Sequence, residues 1–367
     1  MKGQDPTTRV INHKTLRKMI GAIAFLMPIA VIVFSGKPFH EMTSISISYW
    51  TDANDIFVGS LIAVAVFLVA YNGTGVCKKD IEYWLSKLAC TFALLVVIFP
   101  TKNFNGNYER LPGDKYGALP GWLQPIAEVI PPNYMHGFAA VFLFVCLIIL
   151  MAFFSQRAKN KKAYVRAKHY LLISLTMAIS LPTIFIVGIL TEAYAEVFWV
   201  ELVGLWLFGL GWSYSGWYTE FTPKKEDRQV SELKEIEVDP FHLNFETDFV
   251  IEGGVTYKFE AKGCWMDWFL ACGPDGWGPD WKIFTRKNRM PGQPFFKLCG
   301  NIGKDESTKF EIGSIREWDA PTGIDHLPPE ERKLYLFAND WESKYENNET
   351  LHPTEGGPLK VKISRLD

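Results

Sequence analysis

The chain has 367 residues, enough for two domains, with 38 Lys and Arg against 40 Asp and Glu, a formal net charge of -2 and 48% hydrophobic residues. That near-neutral balance excludes the broad basic face that nucleic-acid binding requires, so no nucleic-acid partner is expected. The averages conceal a division: the long apolar runs lie before residue 222, whereas Asp, Glu, Gly and Pro crowd the remainder.

Lys2, Arg9, Lys14, Arg17 and Lys18 precede the first apolar run. No small-residue cleavage site with a mature soluble sequence follows, so the run reads as a retained helix rather than a secretory signal. Six stretches approach the length a bilayer demands, near residues 19–35, 56–72, 84–99, 136–154, 169–190 and 195–214. Pro28 and Pro182 are expected to kink the first and fifth. The expected architecture is therefore multi-domain: a transmembrane α-helical bundle of about six helices over 1–220, a charged linker over 221–240, and a β-rich domain over 241–367.

Lys and Arg in the short connections set the orientation. With the N-terminus inside, the inner segments carry the five residues above, Lys78, Lys79 and Lys87, then Arg157, Lys159, Lys161, Lys162, Arg166 and Lys168, and finally Lys224, Lys225 and Arg228. The outer loops carry Lys37, Lys102, Arg110 and Lys115. The expectation is a multi-pass protein of the bacterial inner membrane with both the N-terminus and the C-terminal domain cytoplasmic, and with the lipid bilayer as its first partner. One helix more or fewer reverses the side of the tail.

Between the first two spans the chain reads SISISYWTDANDIFVGSL over 44–61. Asp52 and Asp55 stand at i, i+3 spacing, and His136 opens the fourth span at the same expected depth. Two readings stay open: a metal or hydrolytic site at the outer boundary, with Asp52, Asp55 and His136 as its catalytic candidates, or a helix start whose Thr51, Asp52 and Asp55 are ordinary first-turn residues. Glu192, Glu196 and Glu201 raise a similar question, with Glu201 the deepest. The 44–61 run, a later Phe99-Pro100-Thr101 and the basic start of the fifth helix resemble an uncharacterised group of multi-helix bacterial membrane proteins, a resemblance that implies no activity. No HxxxH pair, Walker loop, nucleotide fingerprint or serine elbow occurs.

Residues 222–240, TPKKEDRQVSELKEIEVDP, mix both charge signs and read as the linker or a short helix. From 241 onward, short alternating segments bounded by Gly, Pro, Asn and Asp read as strands of a sandwich. Cys77, Cys90 and Cys146 lie in or beside the helical half and Cys264, Cys272 and Cys299 in the tail. Three tail cysteines are expected to leave one unpaired in any intramolecular scheme, so no disulfide framework is expected.

The tail carries, in order, GCWMDW (263–268), CGPDGWG (272–278), LCGNIG (298–303), FEIGSIREWDAP (310–321) and LYLFANDWESKYENN (334–348), then a terminal strand with VKI (361–363). In these motifs it resembles the LecA-type calcium-dependent galactose-binding bacterial lectins, which implies an all-β sandwich. The resemblance implies a Ca2+ shell from the side chains of Asp340, Asn347 and Asn348 and the carbonyls of Lys344 and Cys272, the oxygen-rich coordination that calcium takes. It implies a saccharide completing that shell, with Asp340, Trp341, Asn347 and Gln293 contacting it. On the residues alone, the same Asn-Asp and Asn-Asn pairs also suit Asx turns at a strand end. The stretch 278–294 lacks the histidine with which these lectins grip sugar, Met290 standing near that place, and the loops after 321 and 348 are enlarged. Galactose specificity is therefore not implied. Five tryptophans, Trp265, Trp268, Trp277, Trp281 and Trp341, divide between core packing and ligand stacking.

The reading that follows is a membrane-anchored binding or sensor protein, more a binder than an enzyme. The alternatives are a membrane hydrolase acting on lipid or headgroup, whose tail recruits or forms a homo-oligomer, and a ligand-gated membrane-disrupting effector.

Overall fold

The structure is a computed structural model that describes residues 13–71, 77, 80–109, 115–116, 119–161, 163–191, 195–217, 230–278 and 282–366. Glu192, Trp281, the basic residues at positions 2 and 9, and the charged stretch 218–229 lie outside the described residues. The chain divides into two compact units: residues 1–71 with 85–221, and residues 72–84 with 222–367.

The first unit is helical, built from α1 (His13–Phe34), α2 (Asn54–Ala70), α3 (Ile81–Ile98), the short α4 (Gln124–Val129), α5 (Pro132–Asn160), α6 (Tyr164–Leu190) and α7 (Glu196–Trp217). Five of these, α1, α3, α5, α6 and α7, are long and apolar enough to cross a membrane. The sixth expected span, α2, has 17 residues and is shorter. Its buried Phe57, Leu61, Ala65 and Leu68 follow helical spacing toward a core that includes Val31, Leu143, Leu150 and Trp212. Large apolar side chains such as Leu26, Val66, Val141, Leu172 and Ile179 face outward, the pattern of a surface built for lipid. Pro28 and Pro182 sit inside α1 and α6, which continue through them.

Basic side chains gather at one end of this unit. Lys87 donates to the Tyr71 carbonyl at 2.8 Å and Ser86 Oγ to the same carbonyl at 3.1 Å, satisfying the end of α2 from the start of α3. Arg157 donates to Tyr71 Oη at 2.8 Å and lies over the Phe154 ring, while Arg17 lies 5.9 Å from both rings.

The second unit is built from antiparallel strands: β1 (Val230–Glu237), β2 (Phe245–Val250), β3 (Thr256–Lys262), β4 (Trp265–Asp267), β5 (Leu270–Cys272), β6 (Asp275–Trp277), β7 (Phe295–Ile302), β8 (Phe310–Glu311), β9 (Ile315–Asp319), β10 (Lys333–Ala338), β11 (Asn348–Thr350) and β12 (Lys360–Leu366), with one helical turn, α8 (Lys282–Thr285). One sheet runs β1-β12-β3-β9, a second β2-β10-β7-β6 with β8 on β7, and a third β11-β4-β5. Tyr257, Phe259 and Ala261 of β3 alternate inward, as do Val361 and Ile363 of β12, and meet Leu334, Leu336, Leu298, Phe296 and Trp265 in one core.

Two expectations are corrected. Part of the segment taken for a linker or short helix is β1: Glu and Lys are good helix formers, but β12 offers a free edge, and Glu232–Lys362 at 2.6 Å and Glu235–Lys360 at 3.9 Å pair across it while Ile236 turns into the core. The cysteine count, confined to the tail, missed a partner upstream. Cys264 is disulfide-bonded to Cys77, with Cα atoms 5.8 Å apart and 187 residues between them in sequence, inside a cluster with Ala271 and Leu351. The bond ties the α2–α3 connection covalently into the β unit.

A non-reduced protease digest of the full chain is expected to contain one crosslinked peptide pair spanning Cys77 and Cys264, absent after reduction and absent in Cys264→Ser. Recovery of both as free thiols from cells in which alkylation preceded lysis would contradict the bond.

Candidate functional site

In the helical unit, Asp52 and Asp55 are exposed at the start of α2. Thr51 serves that turn, its Oγ1 accepting from Ala53 N at 3.2 Å and donating to the Ser48 carbonyl at 2.9 Å. His136 is buried at the start of α5, and its Nδ1 meets the Phe99 carbonyl at 2.8 Å, where α3 has ended. His136 thus bonds locally at a helix terminus, and among the described residues no hydrogen bond or ion pair joins Asp52 or Asp55 to it. Glu201 is the polar centre here. Its carboxylate accepts from Ile45 N at 2.5 Å, Ser46 N at 3.3 Å and Ser46 Oγ at 2.5 Å, holding the short helical turn Ser46–Trp50 against α7.

In the β unit, the residues of the 339–348 run converge. Asn339, fully buried at the end of β10, donates through its amide to the carbonyls of Met290, Gln293 and Pro294 at 3.0–3.2 Å and accepts from Met290 N at 2.8 Å. It staples the 288–294 loop to β10, a role that the sequence pattern alone did not reveal. Asp340 follows. Its Oδ1 accepts from Trp341 N at 2.7 Å, while Oδ2 is buried without a hydrogen-bond donor. The chain then turns through Tyr345–Asn347, fixed by the Tyr345 hydroxyl donating to the Ala338 carbonyl. It returns as β11, which places Asn348 directly opposite Asp267 of β4.

Asp267 is the residue that the sequence reading missed. Its Oδ1 accepts from Asn347 Nδ2 at 3.2 Å and its Oδ2 from Trp277 Nε1 at 3.0 Å. Burial, then the neighbouring Asp340 charge, pushes its carboxyl up to about 6; burial likewise raises Asp340. Asn348 donates to the Pro240 carbonyl at 3.2 Å, leaving its Oδ1 buried without a donor. Cys272 lies close enough to feel Asp267 and Asp340, and burial keeps its thiol protonated well above the usual range. The Lys344 carbonyl accepts from Asn347 N at 3.3 Å and keeps a second lone pair. Gln293 is engaged elsewhere, its Oε1 taking the Lys297 ammonium at 2.8 Å. Trp341 is half-buried under Lys287, 5.0 Å from its ring.

Two carboxylates gathered beside donor-less amide and carboxylate oxygens are unfavourable until a cation satisfies them. Among the described residues no group of three His, Cys, Asp or Glu gathers, so a cation here would draw on two carboxylates and neutral oxygens, a hard-ion shell rather than a zinc shell.

In chelator-treated protein the raised Asp267 pKa has a definite sign. The folded state holds that proton more tightly than the unfolded chain, so the stability that this group contributes falls as pH rises from about 4 through about 6. Asp267→Asn is therefore expected to raise cation-free stability at pH 8 by about 1–2 kcal/mol and to flatten that part of the pH profile, as read by thermal denaturation. The chain matches no protein-family model and no curated protein, so the chemistry of the site rests on its own residues.

Proposed function

We propose that this is a membrane-anchored binding protein whose β unit, a lectin-like sandwich, takes up Ca2+ at Asp340, Asp267, Asn347 and Asn348, with the carbonyls of Lys344 and Cys272, and through that ion binds a carbohydrate-like ligand. The observation that carries the reading is the pair of buried oxygens without donors, Asp340 Oδ2 and Asn348 Oδ1, beside a second carboxylate. An Asx-turn role accounts for Asp340 Oδ1 on Trp341 N, but leaves Oδ2 and Asn348 Oδ1 without a function. The apolar helices supply the anchor. Lys87, Arg17 and Arg157 at one end of the bundle support placing that end in the cytoplasm by the charge rule.

The membrane-hydrolase reading loses support because His136 is engaged by the Phe99 carbonyl and, among the described residues, no hydrogen bond or ion pair joins it to Asp52 or Asp55, and the effector reading has no residue of its own. In the helical unit Glu201 is structural under this proposal: Glu201→Ala leaves Ile45 N, Ser46 N and the Ser46 hydroxyl without an acceptor, an expected loss of about 2–3 kcal/mol read as a lower melting temperature in detergent, with cation binding by the β unit unchanged.

The central test is calcium titration of the purified full chain. Wild type is expected to gain thermal stability with millimolar Ca2+, and the double variant Asp340→Ala with Asn347→Ala to lose that gain while still folding. A wild-type melting curve indifferent to calcium, lanthanide and magnesium alike would remove the proposal.

A further inference from the structure

β4 and β5 are joined by a two-residue turn, with Asp267 paired to Leu270 and Trp268-Phe269 at the tip. A tight hairpin turn with a positive φ is the place for Gly, Asn or Asp, yet here Trp268 adopts φ 53°. The left-handed region costs a bulky residue free energy that an exposed side chain does not return by packing. Trp268 is 70% and Phe269 54% exposed, their rings 4.6 Å apart edge to face. Three other tryptophans of this unit have tasks within the fold. Trp265 is fully buried, Trp318 stacks on Phe310 at 4.0 Å, and Trp277 both donates to Asp267 and stacks on Phe295 at 5.0 Å.

The tip adjoins the candidate cation shell on both sides. Trp268 follows Asp267 in sequence, and its N–H donates to the carbonyl of Asn347 at 3.1 Å. We propose that the Trp268-Phe269 turn is a stacking wall for the ligand: a pyranose whose hydroxyls reach the cation lays its C–H face on the Trp268 ring. This rests on the cation-site reading above and adds the part of the site that selects among ligands. A neutral polyhydroxylated ring fits better than a lipid surface, because Glu346 just before β11 and Glu349 within it are exposed, charges that an anionic bilayer repels. An aromatic face supplies the apolar contact that hydroxyl coordination lacks.

The test uses full-length protein in nanodiscs, with Trp268→Gly, which suits the backbone, and Phe269→Ala. Calcium binding is read by thermal shift and terbium luminescence, and ligand binding on an array of galacto-, gluco- and manno-configured pyranosides. The expected result is calcium-dependent glycoside binding by wild type and at least a ~10-fold loss in Trp268→Gly, with the calcium shift intact and the melting temperature equal or higher. Glycoside binding undiminished in Trp268→Gly overturns the wall while leaving the cation site. Calcium binding without any glycoside binding overturns it equally, as does detergent-solubilised wild type that docks on phosphatidylserine vesicles through Trp268 and binds no glycoside. Absence of calcium binding removes both the site and the wall.

Discussion

A polar atom taken out of water must find a partner, and the two units of this chain meet that requirement differently. In the helical unit Glu201 is fully enclosed yet completely supplied, with two backbone N–H groups and a hydroxyl closing on one carboxylate. The segment around Ser46 is thereby fixed without regular helix, which an apolar environment tolerates only when its backbone groups are bound. In the β unit Asp340 Oδ2 and Asn348 Oδ1 are buried without a hydrogen-bond partner, while the side chains of Asn347 and Trp277 donate to Asp267 and that of Asn348 donates to Pro240. The same accounting that makes Glu201 structural makes the Asp340 cluster a candidate for an ion.

The supports of that cluster are far apart in sequence. Asn339 locks the 288–294 loop to the end of β10, Tyr345 pins the turn back onto Ala338, and the pairing of β11 with β4 brings Asn348 across from Asp267. Asp340 and Asn348 are thus held by buried backbone and side-chain hydrogen bonds rather than by the loop alone, the kind of rigidity that oxygen-ligand sites need in order to discriminate among cations. The disulfide belongs to the same region, since Cys264 precedes β4 immediately and its cluster includes Ala271 of β5.

That disulfide and the basic end of the bundle respond to different pressures. Lys and Arg bias insertion while the chain is being threaded, whereas a disulfide responds to the redox state of the compartment in which the chain folds. A disulfide buried in a compact unit persists in oxidising surroundings and is uncommon in a reducing cytosol. The compartment bears directly on the proposed ligand, because calcium is abundant outside cells and scarce within them.

Much of the helical unit was legible from sequence because bilayer-length apolar runs favour helix, and apart from the short α4 the observed helices begin and end within six residues of those runs. The strands of the tail were legible from alternation, and Asp340, Asn347 and Asn348 stood out in their motif as candidates only. Tertiary structure alone decided the rest. VSELKEIE is neutral between helix and strand until β12 offers an edge. Cys77 has no visible partner until its segment joins the β unit. Asp267, 73 positions before Asp340 and embedded in an aromatic run, acquires a role only through strand pairing. Sequence determines which segments leave water and which side chains carry oxygen; which oxygens then face one another, and which are left without a donor, is fixed by strand register and long-range packing that no local pattern encodes.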